Sequence, residues 1–173
     1  MSDTKIVFQS KFFRVLEIEA ERKGKKFTKD LIEKNPSVYI LPLDENNEIY
    51  MEWQYRDAFE KEILEIVAGT IEDDADPLET AKRELEEETG LTATDWQLIS
   101  AAESGVNMRS KSYFFLATGL TQGEAQLDDD EVLRVIKMPF SEAVEKAMNG
   151  EIIAVPHIAA ILKLDKMMKE GTL

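Results

Sequence analysis

GTIEDDADPLETAKRELEEETGL, running from Gly69 to Leu91, is the stretch on which the reading of this chain turns. Asp76 supplies a short acceptor at a helix N-cap, Pro77 presets the first helical φ, and Glu79 stands three residues after the cap. Those three residues start a helix, and Gly90 is placed to end it. Leu78, Ala81 and Leu85 recur at helical spacing and form a core-facing stripe. Glu84, Glu87 and Glu88 occupy i, i+3 and i+4, so three carboxylates share another stripe. Like charges at that spacing destabilise a helix unless a cation neutralises them. An all-oxygen carboxylate set suits Mg2+ or Mn2+ better than zinc. Read from spacing alone, the same stripe is equally a solvated helix face.

The segments on either side alternate strand and helix. Phe12 to Ala20, a turn at Arg22-Lys23-Gly24-Lys25, and Lys26 to Ile32 predict an N-terminal β-hairpin. Ser37 to Leu43 reads as a buried strand, followed by a turn at Asp44 to Asn47. Ile49, Met51, Trp53 and Tyr55 alternate with Tyr50, Glu52, Gln54 and Arg56, giving a strand with one apolar face. Further strands are expected over 63–68, 96–101, 113–117 and 132–138, and further helices over 141–149 and 156–169. The fold class is α/β (α+β), with a mixed sheet between helices. Residues 1–35 are expected to be N-terminal strands, a possible dimerisation element, and 36–173 the main domain.

Composition narrows the function. The 173 residues are 43% hydrophobic with eight Gly and five Pro, which fits one compact domain with at most a small appendage. The absence of cysteine removes disulfides, thiolate metal sites and thiol nucleophiles, and fits a reducing, cytoplasmic setting. No basic-then-apolar leader and no apolar run near the roughly 18 residues of a membrane span are visible, so neither secretion nor insertion is expected. A formal net charge of -14 repels nucleic acid and anionic membranes. Binding to such polymers is not expected.

The string from Gly69 to Leu91 resembles the Nudix box, G-x5-E-x7-R-E-U-x-E-E-x-G-U, where U is aliphatic. Gly69, Arg83, Glu84, Leu85, Glu87, Glu88, Gly90 and Leu91 fall in register. Ala75 departs from it, standing where the box has glutamate, with Glu72, Asp73 and Asp74 as candidate substitutes. Upstream, Gln54-Tyr55-Arg56 and Glu65-Ile-Val-Ala-Gly69 resemble segments of the branch containing ADP-ribose and nucleoside diphosphate sugar pyrophosphatases, with Val67 in place of the usual proline.

The resemblance implies a Nudix fold and an enzyme that cleaves phosphoric anhydrides. It implies a Mg2+ site, open to Mn2+, made by Glu84, Glu87, Glu88 and the carbonyl of Ala68, with Arg83 fixing a glutamate. Arg56 and Glu65, with Tyr55 of the same segment, become contacts to the nucleotide or its diphosphate. The acidic run Asp128-Asp-Asp-Glu131 looks like the branch's later loop, which nominates Glu131, then Asp129, to take a proton from water. Read on their own, four acids before a strand are more often a solvated loop. Ser104 to Ser110 lacks the proline of the branch's serine-proline-glycine loop, which puts strict ADP-ribose preference in doubt.

The implied reaction splits a nucleoside diphosphate sugar, ADP-ribose or a nucleotide hexose such as GDP-mannose, into a nucleoside monophosphate and a sugar phosphate. Two other readings stand beside it: hydrolysis of nucleoside triphosphates or other capped diphosphates, and a non-catalytic nucleotide-sugar sensor, suggested by Ala75. The branch also implies a homodimer through the N-terminal strands, with Phe12, Phe13 and Phe27 at the interface. The alternative has those rings capping their own chain's core. His157, the chain's one histidine, follows Pro156 at a helix start and reads as structural.

Overall fold

The computed structural model describes residues 4–72, 75–126 and 133–173. Their elements run β1 (Thr4–Gln9), β2 (Phe13–Arg22), β3 (Lys25–Lys34), β4 (Ser37–Pro42), β5 (Glu48–Arg56), β6 (Lys61–Glu65), β7 (Ala68–Thr70), α1 (Pro77–Thr89), β8 (Leu91–Gly105), β9 (Met108–Gln122), β10 (Leu133–Pro139), α2 (Phe140–Asn149) and α3 (Val155–Glu170). A seven-stranded mixed sheet has the order β1-β2-β3-β9-β4-β7, with β8 also paired to β9, and β10-β5-β6 form a second, antiparallel sheet.

Period-two alternation in β4 and β9 divides the core. Val38, Ile40, Phe115 and Ala117 face Ala81 and Leu85 of α1, while Leu41, Phe114 and Leu116 face Ala160, Ile161 and Leu164 of α3. The large sheet thus lies between α1 on one side and α2 with α3 on the other. Both faces of its central strands bury large apolar side chains, each contributing roughly 1.5–3 kcal/mol on removal from water.

Two expectations need correction. The strand read over 63–68 is two strands in different sheets: β6 pairs with β5, and β7 pairs with β4. A continuous apolar run carries no sign of where the chain leaves one ladder and joins another. The strands read over 96–101 and 113–117 are the middle of a hairpin, β8 and β9, whose polar ends carry no alternation.

The N-terminal hairpin forms with the expected turn and gains β1, which pairs with β2. The exposure of its rings bears on where they pack. Phe12 is 74% exposed and Phe13 39%, so neither caps the core of its own chain. Among the described residues no helix is long and apolar enough to cross a membrane.

Candidate active site

Helix α1 presents the carboxylate stripe, and its ends explain its placement. Asp76 accepts from the Leu78 and Glu79 N–H groups at 2.8 and 3.1 Å, a cap of about 1 kcal/mol. At the other end Gly90 adopts φ 71° and donates to Glu86 O. A β-carbon there would lie within 2.8 Å of Glu124 C and Gly123 O and 2.7 Å of Ala125 N, all backbone atoms that cannot swing aside. Glycine at residue 90 therefore serves both the left-handed turn and this close approach. Gln126 N–H then donates to Glu87 O at 2.8 Å, tying the segment after β9 to the last turn of α1.

Glu84, Glu87 and Glu88 line one cleft of about 470 Å3, together with Ala68, Glu72, Ala75 and Arg83. Arg83 stands within the stripe, 2.6 Å from Glu84 and 2.5 Å from Glu87. Burial would lower its pKa, but the two carboxylates hold its charge more firmly than in water. Glu88 is 3% exposed. The donor set, glutamates plus a backbone carbonyl, fits a hard divalent cation. Among the described residues no three His, Cys, Asp or Glu side chains converge on a closed metal site. Arg83 bridges the stripe in this arrangement.

Strand β5 brings in the second group. Arg56 donates through Nε to Glu65 Oε2 at 2.8 Å, and its Nη2 lies 2.7 Å from the same oxygen. Burial pushes the Glu65 carboxyl up, yet the hydrogen bond from His157 and the Arg56 guanidinium outweigh it and hold the carboxyl below its ordinary value. Arg56, Ala68, Gly69 and Thr70 also line an adjoining cavity of about 420 Å3, whose other walls include Tyr39, Phe59, Glu65 and His157.

Of the residues nominated from sequence, Arg83, Glu84, Glu87, Glu88, Ala68 and Arg56 come together on the first cleft, and Glu65 lines the second. Tyr55 does not join them. It is 50% exposed and points from β5 opposite to its neighbours Gln54 and Arg56. Glu131 and Asp129, like Asp73 and Asp74, lie outside the described residues.

Sequence reasoning missed two residues. Gln54 is quoted with Tyr55 and Arg56 but given no role by the sequence; it is buried, and its amide oxygen has no hydrogen-bond partner among the described residues while the side chain lines the cleft. Its signal was its place two residues before Arg56 on the same face of β5. His157 touches Glu65, which nothing in its local sequence announces.

Comparison with known proteins agrees with this geometry. Residues 33–157 match the family model of the NUDIX domain. The chain is 33% identical over 151 residues to the methanol dehydrogenase activator of Bacillus methanolicus, covering 84% of this chain and 82% of that protein. It is 32% identical over 139 residues to the ADP-ribose pyrophosphatase of Mycobacterium tuberculosis, covering 78% and 67% of the two. The solved structure of an ADP compounds hydrolase shares the fold, with a TM-score of 0.84 over 99% of this chain and 95% of that one at 20% identity. With the box in register on α1 and a family match across most of its length, the chain belongs to the Nudix family, in the branch of the ADP-ribose pyrophosphatases, and is a pyrophosphohydrolase.

Proposed function

We propose that the chain hydrolyses the diphosphate bridge of a nucleoside diphosphate sugar, ADP-ribose or a nucleotide hexose such as GDP-mannose, releasing a nucleoside monophosphate and a sugar phosphate. The observation that carries this reading is Arg56, which lines both the carboxylate cleft and the cavity beside it. A substrate with charge in its middle and a bulky arm beyond would span the two, its diphosphate on the guanidinium.

A diphosphate resists attack because its oxygens repel a nucleophile. Glu84, Glu87, Glu88 and the Ala68 carbonyl are the groups proposed to hold a divalent cation, Mg2+ in this reading with Mn2+ as an alternative. A cation held there would supply charge neutralisation for the diphosphate oxygens and a place for the attacking water. Arg83 fixes Glu84 and Glu87 by charged hydrogen bonds, and Arg56 with Glu65 orients the nucleotide. Glu131, or Asp129 after it, is the proposed proton acceptor. We also propose that the strands of residues 1–35 pair two copies into a homodimer, because Ile6, Phe8 and Phe12 are apolar and exposed there. The cysteine-free, acidic composition favours a cytoplasmic setting and a small-molecule partner over nucleic acid.

The test is a substrate panel with a divalent cation at mildly alkaline pH, comparing ADP-ribose and GDP-mannose with nucleoside triphosphates. The nucleotide sugars are expected to be cleaved faster. Triphosphate hydrolysis faster by about a hundredfold, a gap of about 2.7 kcal/mol in transition-state binding, overturns the substrate and leaves the family. A nucleotide sugar that raises Tm without being cleaved favours the sensor. The relative named as a methanol dehydrogenase activator supports a second reading, action on such a dehydrogenase, which adding the chain to methanol dehydrogenase tests.

A further inference from the structure

The chain crosses from the small sheet to the large one between Glu65 and Ala68, the end of β6 and the start of β7. Ile66, at the crossing, is fully buried, and its N–H finds its acceptor in the His157 side chain. A buried backbone donor must find an acceptor, because nothing else replaces the water it has lost. His157 Nδ1 accepts from Ile66 N–H at 3.2 Å, reaching across from the first turn of α3. An imidazole nitrogen that accepts carries no proton, so in the neutral ring the proton sits on Nε2. That nitrogen lies 3.2 Å from Glu65 Oε1, and the other Glu65 oxygen receives Arg56.

Both ends of the ring are therefore committed, and its orientation is fixed further by the Tyr39 ring, edge-on at 5.3 Å and 87°. His157 is 4% exposed and Glu65 3%, so water does not compete for these bonds. Arg56 is the member of the series that reaches the cleft. We propose that His157 is a positioning residue for substrate binding: it holds Glu65 in the one orientation that presents the Arg56 guanidinium to a diphosphate, and it sets that orientation from the backbone of the strand crossing. The inference rests on the proposed function for the ligand it serves, but not for the geometry it asserts.

The test uses the whole chain, labelled with 15N, in which the one histidine gives one pair of imidazole nitrogen signals, Nδ1 and Nε2. The wild-type ring is expected with Nδ1 bare and accepting and its proton on Nε2. A ring protonated on Nδ1 overturns the proposal without any variant. His157→Asn keeps an acceptor near Ile66 but loses the donor to Glu65, whereas His157→Gln keeps a donor that reaches Glu65.

The Arg56 Nε–H signal is expected to shift toward its solvent-exposed position in His157→Asn and to return most of the way in His157→Gln. With a nucleotide-sugar substrate, KM should rise about tenfold in His157→Asn with kcat within about twofold, and His157→Gln should recover most of it. A purely structural role lowers Tm in both variants and leaves the Arg56 signal and KM unmoved, which overturns the proposal. If the Arg56 signal responds as stated but the wild type cleaves no nucleoside diphosphate sugar, the positioning role stands and the proposed substrate falls.

Discussion

Gly69 lies so close against Glu84 that a β-carbon on residue 69 would stand 2.1 Å from Glu84 Cδ. The atoms it would strike are the far end of a flexible side chain, so the fold can yield while the carboxylate cannot stay. Gly69→Ala is therefore expected to leave Tm nearly unchanged and to lower metal-dependent turnover by more than about tenfold, with weaker cation affinity in a direct titration. Normal turnover would mean that Glu84 works from another position or does not work at all.

Glu88 is buried at the cleft on the side of α1 turned toward it. Glu88→Gln keeps the shape and removes the charge. Turnover with Mg2+ should fall by about a hundredfold or more, and circular dichroism should be unchanged, because the residues that pack α1 are Ala81 and Leu85. Activity near that of the wild type would take the helix stripe out of the mechanism.

Ala75 lines the same cleft as Glu72 and Glu84. A glutamate at residue 75 would add a carboxylate to the existing set. Ala75→Glu is expected to tighten cation binding or raise kcat by about threefold to tenfold, read by metal titration at fixed substrate. An unchanged or weaker site would show that Glu72 already fills that place.

Asp44 anchors the turn between β4 and β5, accepting from Asn46 and Glu48 N–H groups at 2.8 and 2.9 Å and pairing with Lys137 at 2.8 Å. The Lys137 ammonium above all lowers its pKa from 3.8 to about 2. A carboxylate depressed in the folded state stabilises it fully above its unfolded pKa and ceases to as the pH falls through its folded one. The Tm of Asp44→Asn should therefore trail the wild type above about pH 4, and the gap should close as the pH drops toward about 2. A gap that persists at that acidity would assign the effect to the turn's hydrogen bonds instead of the charge.

Local chemistry made much of this legible in advance. The α1 boundaries follow from Asp76, Pro77 and Gly90, whose effects act within a few residues, and the structure places them as caps. The hairpin turn at Lys23 and Gly24 is of the same kind, with both residues at positive φ. Helical spacing alone put Glu84, Glu87 and Glu88 on one stripe, and only the resemblance made that stripe a site. What escaped depends on distant partners. Glu52 and Gln54 alternate with apolar residues as a solvent face would, yet both are buried. Tyr55 belongs to the same motif as Arg56, but strand geometry sends neighbours to opposite faces. His157 meets a backbone donor 91 residues away, a separation at which sequence pattern is silent.

The parallel pairing of β4 with β9 joins Ser37 to Ser112 and Pro42 to Ala117. Every described residue lining the carboxylate cleft except Gln126 lies in the stretch between those two strands. During synthesis β4 therefore waits for the whole stretch between Pro42 and Ser112 to emerge before its partner exists, and the entropy of closing that loop is spent before the pairing returns anything. Until then the acidic helix has only the short β4–β7 pair to lie on. The chemistry of this protein is thus gathered inside a single long closure, and a ribosome that stops short of Ala117 leaves a chain carrying most of the cleft's side chains on a sheet still missing its central strand.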